Sequence, residues 1–332
     1  MILTRFRAYF DMTTPFYTLN NGVKQPVLGL GTWLAKDFNE LRTAIRAAVD
    51  IGYRYLDTAY AYGNEAQLGE ILEEIFKEGK VKREDFFIAT KLPFFAHEPT
   101  VTESIIQEQF KNLRVDYIDL YLMHNACGVK RGPDGGFLKD SNGLNVPDPT
   151  PHIETWKVLE KYYNQGKFKA LGVSNFRCDQ LEDLYKKATV KPANLQIELH
   201  IFHRQRKLVD LCKKLGLTVT SYASLGSPSR KQGFGPGDYP DADCLGNEIV
   251  QGLAKKYNKT PGQILLRHLL QLGIQVIPKS VNPERLKQNF NVFDFELAKE
   301  DLEKLDQIKE DVRLFSFSFA KGHPLYPPFE VV

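Results

Sequence analysis

Three residues that suit acid–base chemistry follow one another at nearly equal spacing. Asp57, Lys91 and His124 each end a short β-like run, and they are separated by 34 and 33 residues. One βαβ unit is about 30 residues long, so the three positions are equivalent in successive units and lie at one edge of a parallel sheet. Tyr62 falls in the loop above that edge, five residues after Asp57. The spacing therefore predicts that four titratable side chains meet.

The chemistry of this set is proton donation to an oxygen atom. A tyrosine has a pKa near 10, but an ammonium group about 4 Å away favours the phenolate by roughly 4 kcal/mol, or about three pKa units before desolvation. We expect Lys91 to lower the pKa of Tyr62, Asp57 to keep Lys91 protonated, and His124 to hydrogen-bond the receiving oxygen. Taken singly, each residue also has a simpler interpretation, as a helix cap, a solvated lysine, a core ring or a structural histidine.

The elements that would position these residues alternate along the chain. Segments of helical period, such as 39–52 (NELRTAIRAAVDIG), separate eight β-like runs, a pattern typical of βαβ units around a parallel sheet. The predicted strands are residues 27–32, 53–58, 86–91, 117–124, 168–174, 194–199, 217–222 and 274–279.

Two architectures fit such an alternation. A doubly wound sheet would carry a glycine-rich phosphate loop after its first strand, but the run GLGTWLA has Leu34 where the third glycine is required. The sequence therefore favours an α/β fold of the closed (β/α)8 TIM-barrel type. Asn21-Gly22 is a strong hairpin signal, so we expect an N-terminal β-hairpin, placed to cover the bottom of the barrel.

Two stretches interrupt the alternation. Residues 125–151 form a long loop after strand 4, rich in Gly, Pro, Asp and Asn, and residues 313–332 form an irregular, aromatic C-terminal tail. Loops after barrel strands lie at the catalytic face, so the first is a candidate wall of a substrate pocket, and a disordered insertion is the alternative. Phe137, Leu138 and Leu144 in this loop need apolar cover. The tail lines the pocket or packs on the barrel exterior.

Composition limits the class of protein. With 332 residues, 42% apolar and 26% charged, the chain can bury a large core, and a net charge of +3 is too small for a nucleic-acid surface by itself. Four cysteines without a C-x-x-C pair favour a reducing compartment over a zinc cluster or disulfide framework. No apolar run approaches the roughly 18 residues of a membrane span. We expect a cytoplasmic monomer with no metal, nucleic-acid or membrane partner.

The domain organisation follows from these elements. We expect residues 1–15 to be an N-terminal extension and residues 16–332 to form a single barrel domain. Arg5 and Arg7 without acidic neighbours leave a short targeting segment in residues 1–11 as an alternative, and Met12 as another possible start.

Eight motifs in chain order make the sequence resemble the aldo-keto reductase superfamily, and in particular its aldose reductase-like branch. The resemblance implies a (β/α)8 barrel that reduces aldehydes or ketones with NADPH. Asp57, Tyr62, Lys91 and His124 match the family's catalytic tetrad, with Tyr62 as the general acid. The motifs are GLGTW (29–33), GYRYLDTAYAYGNE (52–65), TKL (90–92), LYLMH (120–124), GVSNF (172–176), LQIELH (195–200), SYASLGSP (221–228) and IPKSVNPERLKQNF (277–290).

The resemblance also implies a set of NADPH contacts. Ser174, Asn175 and Gln196 match the residues that bind the nicotinamide carboxamide, and Tyr222 matches the ring that stacks on the nicotinamide. A cluster at the end of the last strand matches the residues that bind the adenosine 2′-phosphate, and its two cations and hydroxyl suit a dianion, so NADPH is expected rather than NADH. That cluster is Lys279, Ser280 and Arg285, and the remaining implied contacts are Thr32, Trp33, Asp57, Leu225, Ser227, Gln288 and Asn289.

The residues of the implied substrate pocket depart from the family pattern. Asn125-Ala126 stands where Trp-Pro usually follows the histidine, Pro93 replaces a common tryptophan, and Gln232 lies near the position of another. Gln288, on the adenine side, stands where the branch often has glutamate. We expect a pocket that is wider and more polar than that of a typical aldose reductase. The predicted substrate contacts are Trp33, Tyr62, His124 and Asn125.

The sequence therefore predicts NADPH-dependent reduction of a small-molecule aldehyde or ketone to an alcohol. Sugar aldehydes and bulkier ketones, such as steroids or prostaglandin-like lipids, both remain open as substrates. A cofactor-binding sensor or auxiliary subunit is the rival from another class, but such a protein need not retain the whole tetrad.

Overall fold

Parallel strands form the centre of the molecule in the computed structural model, which describes residues 14–230, 242–308 and 312–327. Eight of them follow one another in chain order, each hydrogen-bonded to the next, as the sequence predicts. The strands are β1 (Phe16–Thr18), β2 (Lys24–Pro26), β3 (Leu30–Gly31), β4 (Tyr55–Asp57), β5 (Phe87–Leu92), β6 (Ile118–Met123), β7 (Phe168–Ser174), β8 (Asn194–Glu198), β9 (Thr218–Tyr222) and β10 (Gln275–Val276).

The eight-stranded sheet consists of β3 to β10, and its first and last strands also meet, which closes the sheet into a barrel. Leu28 and Gly31 form parallel bridges with Val276 and Lys279. The Gly29 N–H donates to the Val276 carbonyl across 2.9 Å. The predicted α/β class and (β/α)8 barrel are confirmed.

Helices on the outside connect the strands. The first begins at an Asp37 cap, whose carboxylate accepts the Glu40 N–H, and it ends at Gly52 with φ of 121°. The helices of the described residues are α1 (Phe38–Ile51), α2 (Glu65–Lys77), α3 (Pro99–Leu113), α4 (His152–Asn164), α5 (Cys178–Lys187), α6 (Arg206–Leu215), α7 (Glu248–Tyr257), α8 (Pro261–Gln271), α9 (Pro283–Phe290) and α10 (Lys299–Asp306). None of them is long and apolar enough to cross a membrane.

The predicted N-terminal hairpin covers the bottom of the barrel. β1 and β2 pair antiparallel around the turn at Asn21 and Gly22. The Asn21 side chain donates to the Lys169 carbonyl across 2.8 Å, near the start of β7. Leu19 is buried in a cluster of side chains that fill the barrel, which includes Tyr55, Phe87, Leu120, Leu122 and Ala170.

The loop between β6 and α4 has hydrogen-bonded structure of its own. Its backbone forms short antiparallel bridges, so the alternative of a disordered insertion is wrong. Phe137 finds the cover it needs, with its ring 5.4 Å from that of Phe319, whereas Leu138 and Leu144 remain 37% and 44% exposed. The bridges join Val129 to Pro147, Arg131 to Phe137 and Lys139 to Asn145.

The C-terminal tail lies over the carboxyl ends of the strands. The ring of Phe315 is 5.7 Å from that of Trp33 and 5.3 Å from that of Tyr222, and Phe319 lies 4.6 Å from Phe94. Of the two alternatives, lining the catalytic face is therefore the correct one. Most of the predicted extension, residues 1–13, lies outside the described residues, as does Gln232.

Candidate active site

The side chains predicted from spacing meet at the carboxyl ends of β4, β5 and β6. Lys91 Nζ donates to Asp57 Oδ1 across 2.5 Å, to the Thr58 carbonyl across 2.8 Å and to the Tyr62 hydroxyl across 3.3 Å. The lysine side chain is fully buried. An ammonium group has three protons, and each has an acceptor here, so Lys91 is held in one orientation.

Local structure explains how Tyr62 reaches Lys91. After β4 the chain forms a 3₁₀ turn over Tyr60–Tyr62, which ends at Gly63 in the left-handed conformation with φ of 69°. A β-carbon is disfavoured at such an angle, and glycine carries none. The turn brings Tyr62 back over the barrel rim, half-buried above the lysine.

Burial controls the proton affinities of this group. It raises the pKa of Asp57 and lowers that of Lys91, against the attraction between the two charges. The pKa of Tyr62 lies well above 10, because burial and the negative charge of Asp57 both disfavour the phenolate. The prediction that Lys91 lowers the pKa of Tyr62 is wrong for this arrangement, and Tyr62 carries its proton at neutral pH.

His124 completes the group as a neutral ring. Its centroid lies 6.0 Å from that of Tyr62, and Phe94 stacks on its other side at 4.7 Å. Burial and the nearby charge of Lys91 hold the pKa of His124 well below 6.5. Among the described residues, its Nδ1 is buried without a hydrogen-bond partner. A neutral imidazole of this kind donates a single N–H.

Amide and hydroxyl side chains connect the tetrad to the next strands of the barrel, β7, β8 and β9. Gln196 Nε2 donates to Asp57 Oδ2 across 2.7 Å. Asn175 Nδ2 donates to Ser174 Oγ across 3.0 Å, and the Tyr222 hydroxyl donates to Asn175 Oδ1 across 2.7 Å. The residues that the resemblance implies for a nicotinamide ring and its carboxamide therefore lie together, beside the tetrad.

A groove beyond Tyr222 holds other predicted cofactor contacts. A cavity of about 340 Å³ is lined by Leu225, Arg285, Gln288 and Asn289 among others. In the described part of the chain, neither Lys279 nor Arg285 forms a salt bridge. Partial burial and the charge of Arg285 lower the pKa of Lys279. Arg285 therefore lines this groove, and Lys279 lies close enough to feel its charge and that of the Glu40 carboxylate.

The remaining predicted contacts lie on the loops around the same rim. The Thr32 hydroxyl donates to the Asp57 carbonyl across 3.0 Å, and Trp33 follows it, half-buried. Ser227 adopts a positive φ of 45° after Leu225 and Gly226. Ser280 is buried, and its hydroxyl oxygen accepts the Asn282 N–H across 3.1 Å, just before α9.

The structure corrects the prediction for Asn125. This residue is fully buried, and its carboxamide oxygen accepts the Cys127 N–H across 2.8 Å, so none of the side chain is exposed at the pocket surface. It adds no amide to the pocket wall, and it is not placed to contact a substrate.

Phenylalanine rings make the pocket more aromatic than predicted. Phe94, Phe315, Phe317 and Phe319 surround the rim, with Phe94 in contact with His124 and with the two later rings. These rings add apolar surface that the predicted substrate contacts did not include. Residues 315–319 read FSFSF, but no regular period places these rings, because Phe317 has a positive φ of 49° and a 3₁₀ turn follows over Ser318–Ala320.

Comparison with known proteins gives this arrangement a family. The model of the Aldo/keto reductase family matches residues 27–310. The chain belongs to this family. It is 40% identical to Aldo-keto reductase family 1 member A1 of Gallus gallus, over 94% of this chain and 97% of the relative. The human protein of that name is 38% identical, over 93% and 96% of the two chains.

A second family member and a solved structure agree. Aldo-keto reductase family 1 member C15 of Rattus norvegicus is 38% identical, over 94% of this chain and 96% of the relative. The solved aldose reductase of Schistosoma japonicum is 40% identical, with a TM-score of 0.86, over 95% and 98% of the two chains. As an aldo/keto reductase the protein is an oxidoreductase that acts on carbonyl groups, in a family that uses nicotinamide cofactors.

Proposed function

We propose that this aldo/keto reductase reduces aldehydes or ketones to alcohols with NADPH, and that Tyr62 is its general acid. One observation carries the proposal: the Tyr62 hydroxyl accepts a hydrogen bond from Lys91 Nζ across 3.3 Å, while Lys91 pairs with Asp57 at 2.5 Å. The ammonium group is buried and held in one orientation, so it stabilises the phenolate that forms when the hydroxyl gives up its proton.

The proton moves from Tyr62 to the substrate oxygen. Its raised pKa keeps Tyr62 protonated before the reaction. An alkoxide is a much stronger base than a phenolate, so transfer is favourable once negative charge develops on the carbonyl oxygen. Lys91 then stabilises the phenolate, and Asp57 holds Lys91 in place. The Lys91 ammonium therefore acts after the proton has left rather than before.

His124 positions the carbonyl. The ring is neutral, so it donates one N–H to the substrate oxygen without adding a charge that would compete with Lys91. The stacked ring of Phe94 holds the imidazole plane. Apolar rings around this point exclude water, and both hydrogen bonds to the oxygen are stronger as a result.

The neighbouring residues fit a nicotinamide. When bound, a reduced nicotinamide supplies the hydride for the carbonyl carbon. Ser174, Asn175 and Gln196 would hold its carboxamide, since they present hydroxyl and amide groups. A hydrogen bond from Asn175 to Ser174 and one from Gln196 to Asp57 already orient these groups. Tyr222 would pack against the ring, and the Asn175 carboxamide fixes its hydroxyl.

The groove fits a cofactor with an additional phosphate. Lys279 and Arg285 make no salt bridge within the described residues, and Ser280 lies between them in the chain. The first turn of α9 adds a positive helix end. Gln288 and Asn289 line the adjacent cavity, where an adenine would lie. These features support NADPH rather than NADH.

The ring contacts favour one substrate class. Phe94, Phe315 and Phe317 contribute apolar walls around the tetrad, and these suit aromatic or hydrophobic carbonyl compounds better than sugars. Bulkier hydrophobic ketones are therefore the second candidate substrates after aromatic aldehydes.

The proposal is tested by removing a single hydroxyl. We expect Tyr62→Phe to reduce turnover of 4-nitrobenzaldehyde by NADPH roughly 100- to 10,000-fold, which is the usual contribution of general acid catalysis. NADPH binding, measured by fluorescence titration, should stay within about twofold. Turnover is followed as loss of NADPH absorbance.

Tyr60→Phe is the matched control. Tyr60 lies in the same 3₁₀ turn, and its hydroxyl donates to the Glu108 carboxylate on α3, outside the tetrad. This variant should retain wild-type turnover. A Tyr62→Phe enzyme that reduces the aldehyde normally would refute the assignment. Tight NADPH binding by the wild type, without turnover of any aldehyde or ketone in a broad panel, would favour the sensor.

A further inference from the structure

A buried carboxylate outside the tetrad binds the C-terminal tail. Glu198 is the last residue of β8, and its side chain is fully buried. Its Oε1 accepts the Leu314 N–H across 2.7 Å, and its Oε2 accepts the Phe315 N–H across 3.0 Å. One side chain of the barrel therefore fixes the tail backbone at two adjacent residues.

Groups around Glu198 keep it ionised. Burial by itself raises the pKa of this carboxyl, but the hydrogen bond from His200 and nearby positive charge hold it below its ordinary value. His200 Nε2 lies 2.9 Å from Glu198 Oε1. Hydrogen bonds to a charged acceptor are about twice as strong as neutral ones, so the two tail amides are bound firmly.

Further contacts extend this attachment along the tail. The Val312 N–H donates to the Phe202 carbonyl across 2.8 Å. Arg313 donates to the Gln205 carboxamide oxygen across 3.3 Å, and Gln205 Nε2 in turn donates to the Glu198 carbonyl across 2.7 Å. Residues 312–315 form no helix or strand, so side chains and loops of the barrel must satisfy their backbone groups.

The attachment ends at the pocket. Phe315, whose N–H Glu198 holds, packs its ring edge-on against both Trp33 and Tyr222. We propose that Glu198 is a positioning residue that determines substrate selectivity, because it holds Phe315 in place as a wall of the substrate pocket. This inference rests on the proposed function, which assigns the pocket to a carbonyl substrate. The attachment of the tail to Glu198 is independent of that assignment.

The first test separates selectivity from catalysis. Glu198→Gln keeps the side-chain volume but leaves one tail N–H facing an amide NH₂. We expect the KM for 4-nitrobenzaldehyde, which offers an aromatic ring to this wall, to rise about tenfold, equivalent to about 1.4 kcal/mol. The kcat for propanal, which has no aromatic ring to pack against Phe315, should stay within about twofold of the wild type. Glu182→Gln, an exposed substitution on α5, is the matched control and should change neither value.

A double-mutant cycle shows whether Glu198 acts through Phe315. Phe315→Ala removes the wall directly, without disturbing the buried carboxylate, and should give a similar rise in KM. The double variant should be no worse than Phe315→Ala alone. Additive effects on KM would overturn the proposal, as would an unchanged KM in Glu198→Gln.

Trp33 provides a readout that needs no turnover. The chain has two tryptophans, and Trp156 is fully buried, so quenching by acrylamide reports mainly on Trp33. We expect Glu198→Gln to increase this quenching about as much as Phe315→Ala, and Glu182→Gln to leave it unchanged. Unchanged quenching in Glu198→Gln would refute the attachment. If no carbonyl compound is reduced by the wild type while quenching rises as expected, then the proposed function fails and the attachment stands.

Discussion

The Asp57 carboxylate is hydrogen-bonded through both of its oxygens at the centre of the site. Each of its oxygens has a donor, Oδ1 from Lys91 and Oδ2 from Gln196. A buried carboxylate is tolerated when its lone pairs are satisfied and an opposite charge is adjacent. Burial of Tyr62, together with the nearby Asp57 charge, raises the pKa of the tyrosine, so the resting hydroxyl stays protonated.

At the other end of the groove, Arg285 tests the choice of cofactor. Arg285→Met should weaken NADPH binding roughly 10- to 100-fold, because charge-assisted hydrogen bonds are worth about 1.5–3 kcal/mol. NADH lacks the 2′-phosphate, so its affinity should change less than about threefold. Dissociation constants from fluorescence titration at fixed ionic strength measure both.

Lys287→Met is the control for general charge. Lys287 is exposed on the same helix, α9, and it does not belong to the proposed phosphate site. It should reduce NADPH affinity only slightly. Equal losses of NADPH and NADH in Arg285→Met would contradict the role of this arginine in binding the 2′-phosphate.

Among the elements, helices α2 and α3 depend on a glycine for their contact. Gly69 lies in α2, and a β-carbon there would be 2.0 Å from the Asn112 carbonyl oxygen and 2.9 Å from the Leu113 Cα. Backbone atoms cannot move aside as the end of a side chain can. α2 also carries Glu65, which follows the Tyr62 turn, so this contact supports the catalytic rim from outside.

We expect Gly69→Ala to destabilise the protein by about 1–3 kcal/mol, even though alanine is the better helix former. Gly252→Ala in α7 is the matched control, because its β-carbon would meet nothing within 4 Å. That variant should gain up to about 1 kcal/mol. Urea denaturation measures both, and a stabilised Gly69→Ala would show that α2 and α3 move apart freely.

The elements differ in how far the sequence predicts them. All eight predicted barrel strands are confirmed. The sequence could predict them because β-branched runs between helical segments are compatible with few arrangements of a parallel sheet. The meeting of Asp57, Lys91 and His124 follows from the same periodicity. The tail has no period, and its position depends on two backbone hydrogen bonds to Glu198, which is distant in sequence.

Two site properties could not be read from spacing for physical reasons. The pKa of Tyr62 depends on burial, and burial is a property of the whole fold. The direction of Asn125 is set by its short-range bond to the Cys127 N–H, which competes with any contact across the pocket. Residue types predicted the chemistry of the site, whereas orientations required the packed structure.

For the whole molecule, buried neutral histidines limit stability in acid. Burial lowers the pKa of both His97 and His268 from 6.5 to about 4. His97 lies beside the long loop, near Asp148. His268 lies in α8, in the C-terminal half of the chain. The ring nitrogens of His268 have no hydrogen-bond partner among the described residues, and burial outweighs the attraction of the Asp306 carboxylate for its charged form.

The sign of the pH effect follows from proton uptake. Between pH 6.5 and about 4 these histidines bind protons in the unfolded chain but not in the folded one, so stability falls as the pH falls through this range. One pKa unit corresponds to about 1.4 kcal/mol, so each histidine should cost about 2 kcal/mol between pH 6.5 and pH 5. Above about pH 7.5 neither contributes.

His268→Leu isolates one of these contributions, because leucine fills a similar apolar volume and cannot be protonated. The loss of unfolding free energy between pH 7.5 and pH 5 should be about 2 kcal/mol smaller in the variant than in the wild type. Urea denaturation at the two pH values measures it, and the interval from pH 7.5 to pH 8.5, where histidine does not titrate, serves as the internal control. An equal loss in both proteins on acidification would mean that His268 is protonated in the folded state, and that the α8 packing around it opens in acid.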